Sequence, residues 1–329
     1  MADLTTTYMG VALKNPLIVA ASSISNYVDK VKRAEEVGAG ALVIRSLFEE
    51  QIQHDEMTMA DFMERAAYIS PEIQSAFYPP IESGGPREHL MWVEKTRRAV
   101  KMPIFASLNA VTPGSWTGYA RQLEETGVAG LEINYYVVAA DPGVPGSALE
   151  QKLLDIVESV TQAVSIPVAV KLSPYYTSTP HVVRELEKRG AKAVVLFNRF
   201  LQPDIDVDSE SLVNDMVLSS PREMKVPLRW VALLYGRTGM DLALNTGVHS
   251  GRDVVKAILA GASAVQVASC LLENGLPYLS TMLLELQSWM ELKDYRSLDE
   301  FRGKVSQQNI PDPFGFERAQ YMKLLMAQQ

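Results

Sequence analysis

The sequence predicts an α/β fold, a single (β/α)8 TIM barrel over residues 1–329, on three observations. Short runs rich in β-branched and apolar residues recur eight times, each too continuous for a strand with one wet face. Amphipathic segments of helix length separate them. Several turns into strands carry the glycine or proline that such a junction needs. A doubly wound sheet, with fewer strands and a Gly-rich first turn, fits this pattern less well.

In chain order, strands are expected at 17–22, 41–46, 103–108, 130–135, 167–173, 193–198, 241–246 and 264–269. Helices are expected at 28–37, 87–100, 116–126, 148–164, 179–189, 221–235 and 252–259. Gly38, Gly190 and Gly261 each stand just past a helix and before a strand. Glycine there takes the left-handed conformation that stops a helix. Pro103 and Pro167 open the third and fifth strands, where a missing N–H matters least. No linker divides the chain. Two stretches exceed what barrel connections need: 48–86, and 201–220 with its acidic run Asp204-Ile-Asp-Val-Asp-Ser-Glu. Both follow strands and so lead to the C-terminal face, as lids or interface elements, the first alternatively as an extra helix. A short extension covers 306–329.

Composition narrows the function. With 47% hydrophobic and 21% charged residues, the chain is neither disordered, collagen-like nor a disulfide scaffold. A net charge of -8 argues against nucleic acid as a partner. One cysteine, Cys270, allows no internal disulfide and no cysteine metal cluster. Neither a targeting segment nor a membrane span is visible, so a cytoplasmic protein acting on a small molecule is expected.

A barrel's chemistry comes from the C-terminal ends of its strands. Here those ends read Ala20-Ala21-Ser-Ser, Arg45-Ser46, Asn109, Asn134, Lys171, Asn198, Asn245-Thr-Gly and Ser269. Asparagine is a poor strand residue, and four converging on one face suggest a polar ligand. Lys171 interrupts the apolar run Val168-Ala-Val-Lys-Leu and must find a counter-charge or an electron-rich partner. Such an ammonium can form a Schiff base, as a flavin-free lyase would use it, or neutralise a reduced flavin. Loops after the seventh and eighth strands often bind phosphate, and Gly247 would allow close backbone approach there.

With these residues in view, the chain resembles the dihydroorotate dehydrogenase family, specifically its soluble class 1 flavoenzymes. The likeness is strongest in Val170-Lys-Leu-Ser-Pro-Tyr-Tyr, in the block from Asp253 to Ser269, and in Tyr295-Arg-Ser-Leu-Asp-Glu-Phe-Arg-Gly-Lys. Asn15-Pro-Leu-Ile-Val-Ala-Ala-Ser looks like the family's first strand. The resemblance implies FMN at the strand C-termini, contacted by Ala20, Ala21, Arg45, Ser46, Asn109 and Asn134. It implies Lys171 near the ring's N1–C2=O edge, and Gly247, Val248, Ala268 and Ser269 around the phosphate. Asn134, Asn198 and Arg45 would meet the substrate, and the chain would form a homodimer.

Four departures from the family pattern stand out. Arg45-Ser46 replaces a Lys-Ser pair. Gln74-Ser-Ala-Phe-Tyr stands where the family has an Asn-Ser-Met-Gly-Leu-like substrate loop. Ser219-Ser220 and Asn245-Thr-Gly-Val replace glycines near the phosphate. The family's base, a cysteine three residues after the first asparagine of its Asn-x-Ser-Cys loop, has no counterpart in Asn134-Tyr-Tyr-Val-Val-Ala-Ala-Asp-Pro-Gly-Val-Pro-Gly. Counting from Asn134 puts Val137 there, and counting back from Pro142 puts Asp141 there. Asp141 is thus the candidate base, or else a turn cap, with Tyr135 and Tyr136 as alternatives or pocket lining. Cys270 reads as a small buried hydrophobe.

Overall fold

The computed structural model describes residues 2–48, 86–109, 116–200, 202–213, 217–317 and 319–327. Eight parallel strands close into a barrel: β1 (Leu17–Val19), β2 (Ala41–Phe48), β3 (Ile104–Asn109), β4 (Gly130–Asn134), β5 (Val168–Leu172), β6 (Ala193–Leu196), β7 (Asp241–Leu244) and β8 (Ala264–Val267). Each lies inside or within two residues of its expected range. Helices α1 (Val28–Glu36), α2 (Pro86–Ala99), α3 (Trp116–Glu125), α4 (Gly146–Ala163), α5 (Thr179–Lys188), α6 (Lys225–Leu234) and α7 (Gly251–Ala260) lie between the strands, and α8 (Tyr278–Leu292) follows β8. Gly38, Gly190 and Gly261 have φ of 106°, 90° and 123°, as a helix stop requires.

The core has two parts. Outward residues of the strands, such as Leu42, Ile44, Leu131 and Ile133, meet the helices. Inside the barrel, Ala41, Ala169, Ala193, Ala243 and Ala264 leave room for Tyr8 and Phe105, which meet edge to face at 5.8 Å. Tyr8 belongs to an N-terminal hairpin, Thr6–Tyr8 with Val11–Leu13, absent from the sequence expectations. Met9 and Gly10 both have positive φ, the geometry of a tight hairpin turn. Asp241 at the start of β7 accepts from the Met9 N–H at 2.7 Å, which docks the hairpin under the barrel. The plug closes the N-terminal end and leaves the C-terminal end for the chemistry.

Three further features depart from expectation. The 221–235 helix splits into a 3-10 turn, Pro221–Met224, and α6, because Ser220 and Glu223 form a reciprocal capping box at the earlier start. Residues 201–220 include a hairpin, Asp204–Asp206 with Ser211–Val213. The helix α8 was not anticipated, although Leu279, Met282, Leu286 and Met290 carry a helical period into the core. Most of the long 48–86 stretch, including the Gln74–Tyr78 loop (residues 74–78), lies outside the described residues. Among the described residues, no helix is long and apolar enough to cross a membrane.

Candidate active site

Strand register sets the row of polar residues at the mouth. Asn109 pairs with Asn134, and Asn134 with Lys171, across β3, β4 and β5. Asn198 follows β6, its N–H on the Leu172 carbonyl at 2.7 Å, and its amide Nδ2 donates to Asn134 Oδ1 at 2.8 Å. The structure therefore brings Asn109, Asn134, Lys171 and Asn198 together. Lys171 is only 6% exposed. Its Nζ lies 3.8 Å from Glu132 Oε1, two residues before Asn134 on the same strand. On the β2 side, the Arg45 N–H donates to Ser25 Oγ at 2.9 Å, and Ser46 and Ser107 share a hydroxyl hydrogen bond at 2.8 Å. Below them His89 bridges the Tyr119 hydroxyl and the Arg45 carbonyl, and burial pushes its pKa down to about 4.

The opposite edge is built by the ends of β7 and β8. The Gly247 N–H points at Ser219 Oγ (3.4 Å), and Ser219 Oγ donates to Ser269 Oγ at 2.9 Å. The Ser219 N–H also reaches Ser269 Oγ, at 3.1 Å. Backbone N–H groups and two hydroxyls thus converge where Gly247, Val248, Ala268 and Ser269 were expected to act. Ala20, buried, and Ala21, half-buried, begin the loop beside them, with the Ala20 N–H on the Val267 carbonyl. Gly247 has φ of 76°, and a Cβ there would come within 2.3 Å of the Met224 backbone nitrogen. The glycine is thus required by its neighbour across the loop, a constraint the sequence did not reveal.

The loop after β4 differs from both. Tyr135 is buried, its hydroxyl on the Leu149 carbonyl at 3.3 Å, and burial raises its pKa. Tyr136 stacks on Phe200 with ring centres 4.1 Å apart, and Tyr175 meets Phe200 edge-on at 5.5 Å. Val137 packs against the core. Asp141 is exposed, and its carboxylate caps a turn by accepting the Gly143 N–H at 2.8 Å. The turn-capping alternative for Asp141 is the one this geometry carries; the described contacts do not join it to Lys171 or the asparagines. Cys270 is buried beside Met282, its thiol pushed up to about 12 by burial, so it is chemically quiet.

Sequence reasoning missed Glu132 and Gln266, and read Ser219 only as a replacement for a glycine. Glu132 had a signal of the same kind as Lys171: a charge inside Gly130-Leu-Glu-Ile-Asn, an otherwise apolar strand. The partners of the Ser219 hydroxyl had no such signal, because only the meeting of three loops supplies them.

The profile of the dihydroorotate dehydrogenase family matches residues 79–290, more than half of the chain. Among similar proteins is the catalytic subunit of dihydroorotate dehydrogenase B (NAD(+)) of Thermoplasma volcanium, 28% identical over 92% of this chain and 98% of the relative. The equivalent subunit of Methanothermobacter thermautotrophicus is 25% identical over 91% of this chain and 97% of its own. The chloroplastic dihydropyrimidine dehydrogenase (NADP(+)) of Arabidopsis thaliana is 23% identical over 92% of this chain and 76% of its own. The family match spans the ends of β3 to β8. A barrel with this polar mouth and this extended likeness belongs to the dihydroorotate dehydrogenase family, and the chain is an oxidoreductase of that kind.

Proposed function

We propose that the protein is an FMN-dependent oxidoreductase acting on a CH–CH bond of a small planar substrate of the dihydroorotate type. The observation that carries this reading is Lys171, a buried lysine in register with a row of amides, across the mouth from an edge where Gly247, Ser219 and Ser269 are joined by hydrogen bonds. That donor set fits the cofactor. Asn109, Asn134 and Lys171 would hold the polar edge of the ring, and Gly247, Val248, Ala268 and Ser269, aided by Ser219, would hold the phosphate. Ala20 and Ala21 would lie against the ring, and Arg45 and Ser46 would close the β2 side. Held there, a flavin would supply the hydride acceptor for the reaction. Lys171 holds a positive charge where negative charge then develops.

On the substrate side, Asn134, Asn198 and Arg45 would supply hydrogen bonds, and the Tyr136, Phe200 and Tyr175 rings, tilted and edge-on to one another, supply an aromatic cluster. Those rings occupy the side where the family carries its polar base loop, and they favour a substrate other than dihydroorotate itself. A site built to pair one polar edge discriminates steeply when partners are missing. Asp141 remains a base only if the loop carries it inward.

The purified protein should be yellow and retain FMN through gel filtration; a colourless protein that does not take up added FMN removes the reading. Anaerobic mixing with dihydroorotate then separates the substrates. Prompt bleaching lost in Asp141→Asn supports the dihydroorotate activity with Asp141 as base, bleaching that persists in Asp141→Asn removes Asp141 from the mechanism, and no bleaching supports another substrate. Lys171→Met should lower the reduction potential of the FMN-loaded protein.

We also infer a cytoplasmic homodimer. The hairpin Asp204–Asp206 with Ser211–Val213 exposes Ile205, Val207 and Leu212, and a two-stranded ribbon alone is marginal in water. Light scattering should return twice the 36.4 kDa chain mass.

A further inference from the structure

The barrel interior below the mouth holds a carboxylate that the proposed chemistry does not use. Glu132 is 1% exposed and sits one layer beneath Asn134 and Lys171. One of its oxygens accepts from Gln266 Nε2. In the closed strand order, β8 and β4 stand opposite each other, so this hydrogen bond spans the barrel. The other oxygen, Oε1, has no hydrogen-bond partner among the described residues and lies 3.8 Å from the Lys171 ammonium. Gln266 Oε1 and the Tyr8 hydroxyl, on the same interior surface, are also without hydrogen-bond partners there.

A buried ammonium and a buried carboxylate each cost several kcal/mol to desolvate, and each is tolerable only beside the other. The tie to Gln266 fixes where that carboxylate stands. At 3.8 Å the pair is an ion pair without a direct hydrogen bond, so the ammonium's N–H groups stay available to the mouth.

We propose that Glu132 is a positioning residue for Lys171: held across the barrel by Gln266, it is the counter-charge that keeps the ammonium at the mouth and limits how much of its positive charge reaches the ligand. The redox consequence rests on the flavin reading above. The pairing does not.

The test has two arms. In flavin-free protein, urea unfolding of Glu132→Gln, Lys171→Met and the double variant should be non-additive. The product of the two single-variant losses in folding equilibrium constant should exceed the double-variant loss by at least tenfold. Additive losses overturn the pairing, whatever the protein binds. In FMN-loaded protein, Glu132→Gln should raise the flavin potential, shifting the oxidised-to-reduced ratio at a fixed reference potential at least tenfold toward reduced. That shift should fall to less than half in the Lys171→Met background. An unchanged or lowered potential, or a shift of full size without Lys171, overturns the proposal. If Glu132→Gln does not fold, Glu132→Asp, which withdraws the charge by one methylene, should give a smaller change of the same sign in both arms, and no change overturns it. A wild type that binds no flavin refutes the flavin reading alone, since the first arm still decides the pairing.

Discussion

The two edges of the barrel mouth are built differently. At the ends of β7 and β8, Gly247 and Ser269 meet Ser219 from the long connection after β6 through hydrogen bonds. At the ends of β4, β5 and β6, the loops are joined by rings, with Phe200 between Tyr136 and Tyr175, and by one amide pair, Asn134 with Asn198. The first edge suits a phosphate, whose oxygens accept from any well-aimed donor. The second offers aromatic surface and amide groups to one class of molecule. Both edges stand on the same barrel, so the groups at the mouth can differ in kind while the strands beneath them stay the same.

Substitutions on each edge sharpen this contrast, and the largest effect is expected at Gly247. Valine there would combine a positive φ with a contact on the Met224 backbone, which should cost about 3–5 kcal/mol in urea unfolding and abolish FMN retention. A variant as stable as wild type would show that the loop on this edge yields as easily as the other.

His89 supports the Arg45 end of β2 between the two edges. Its pKa is about 4 when folded and near 6.5 when unfolded, so as pH falls the unfolded chain takes the proton first. Stability should therefore decline from about pH 6.5 to about pH 4, by about 3 kcal/mol from this group. His89→Gln should flatten the decline in that window; an unchanged pH profile would remove the histidine as its source.

On the aromatic edge, Phe200→Ala removes the ring that joins both tyrosines, at about 2 kcal/mol in stability. It should raise KM for the true substrate about tenfold while leaving FMN binding unchanged. Loss of FMN instead would mean that the rings serve the cofactor and that the two edges are not separate. The smallest effect is expected for Ser219→Ala, about 1 kcal/mol in stability and a several-fold weaker affinity for FMN, read by fluorescence titration. Unaltered affinity would place the phosphate away from this hydroxyl.

The sequence by itself determined the barrel. Eight buried strands, seven of the helices and the glycine stops at Gly38, Gly190 and Gly261 follow from local periodicity and backbone conformation, which neighbours in the chain specify. Lys171 and the asparagines at strand ends were legible for a related reason: a polar group in an apolar strand is conspicuous wherever the strand sits. Tertiary structure alone decided the rest. Whether Asp141 faces the mouth or caps a turn depends on how the β4 loop folds over its neighbours. Gly247 is demanded by Met224, Ser219 finds its partners on two other loops, and Glu132 meets Gln266 only because the sheet closes and sets β8 opposite β4. Contacts between residues far apart in sequence carry no periodic or local signature, so closure of the barrel is what makes them.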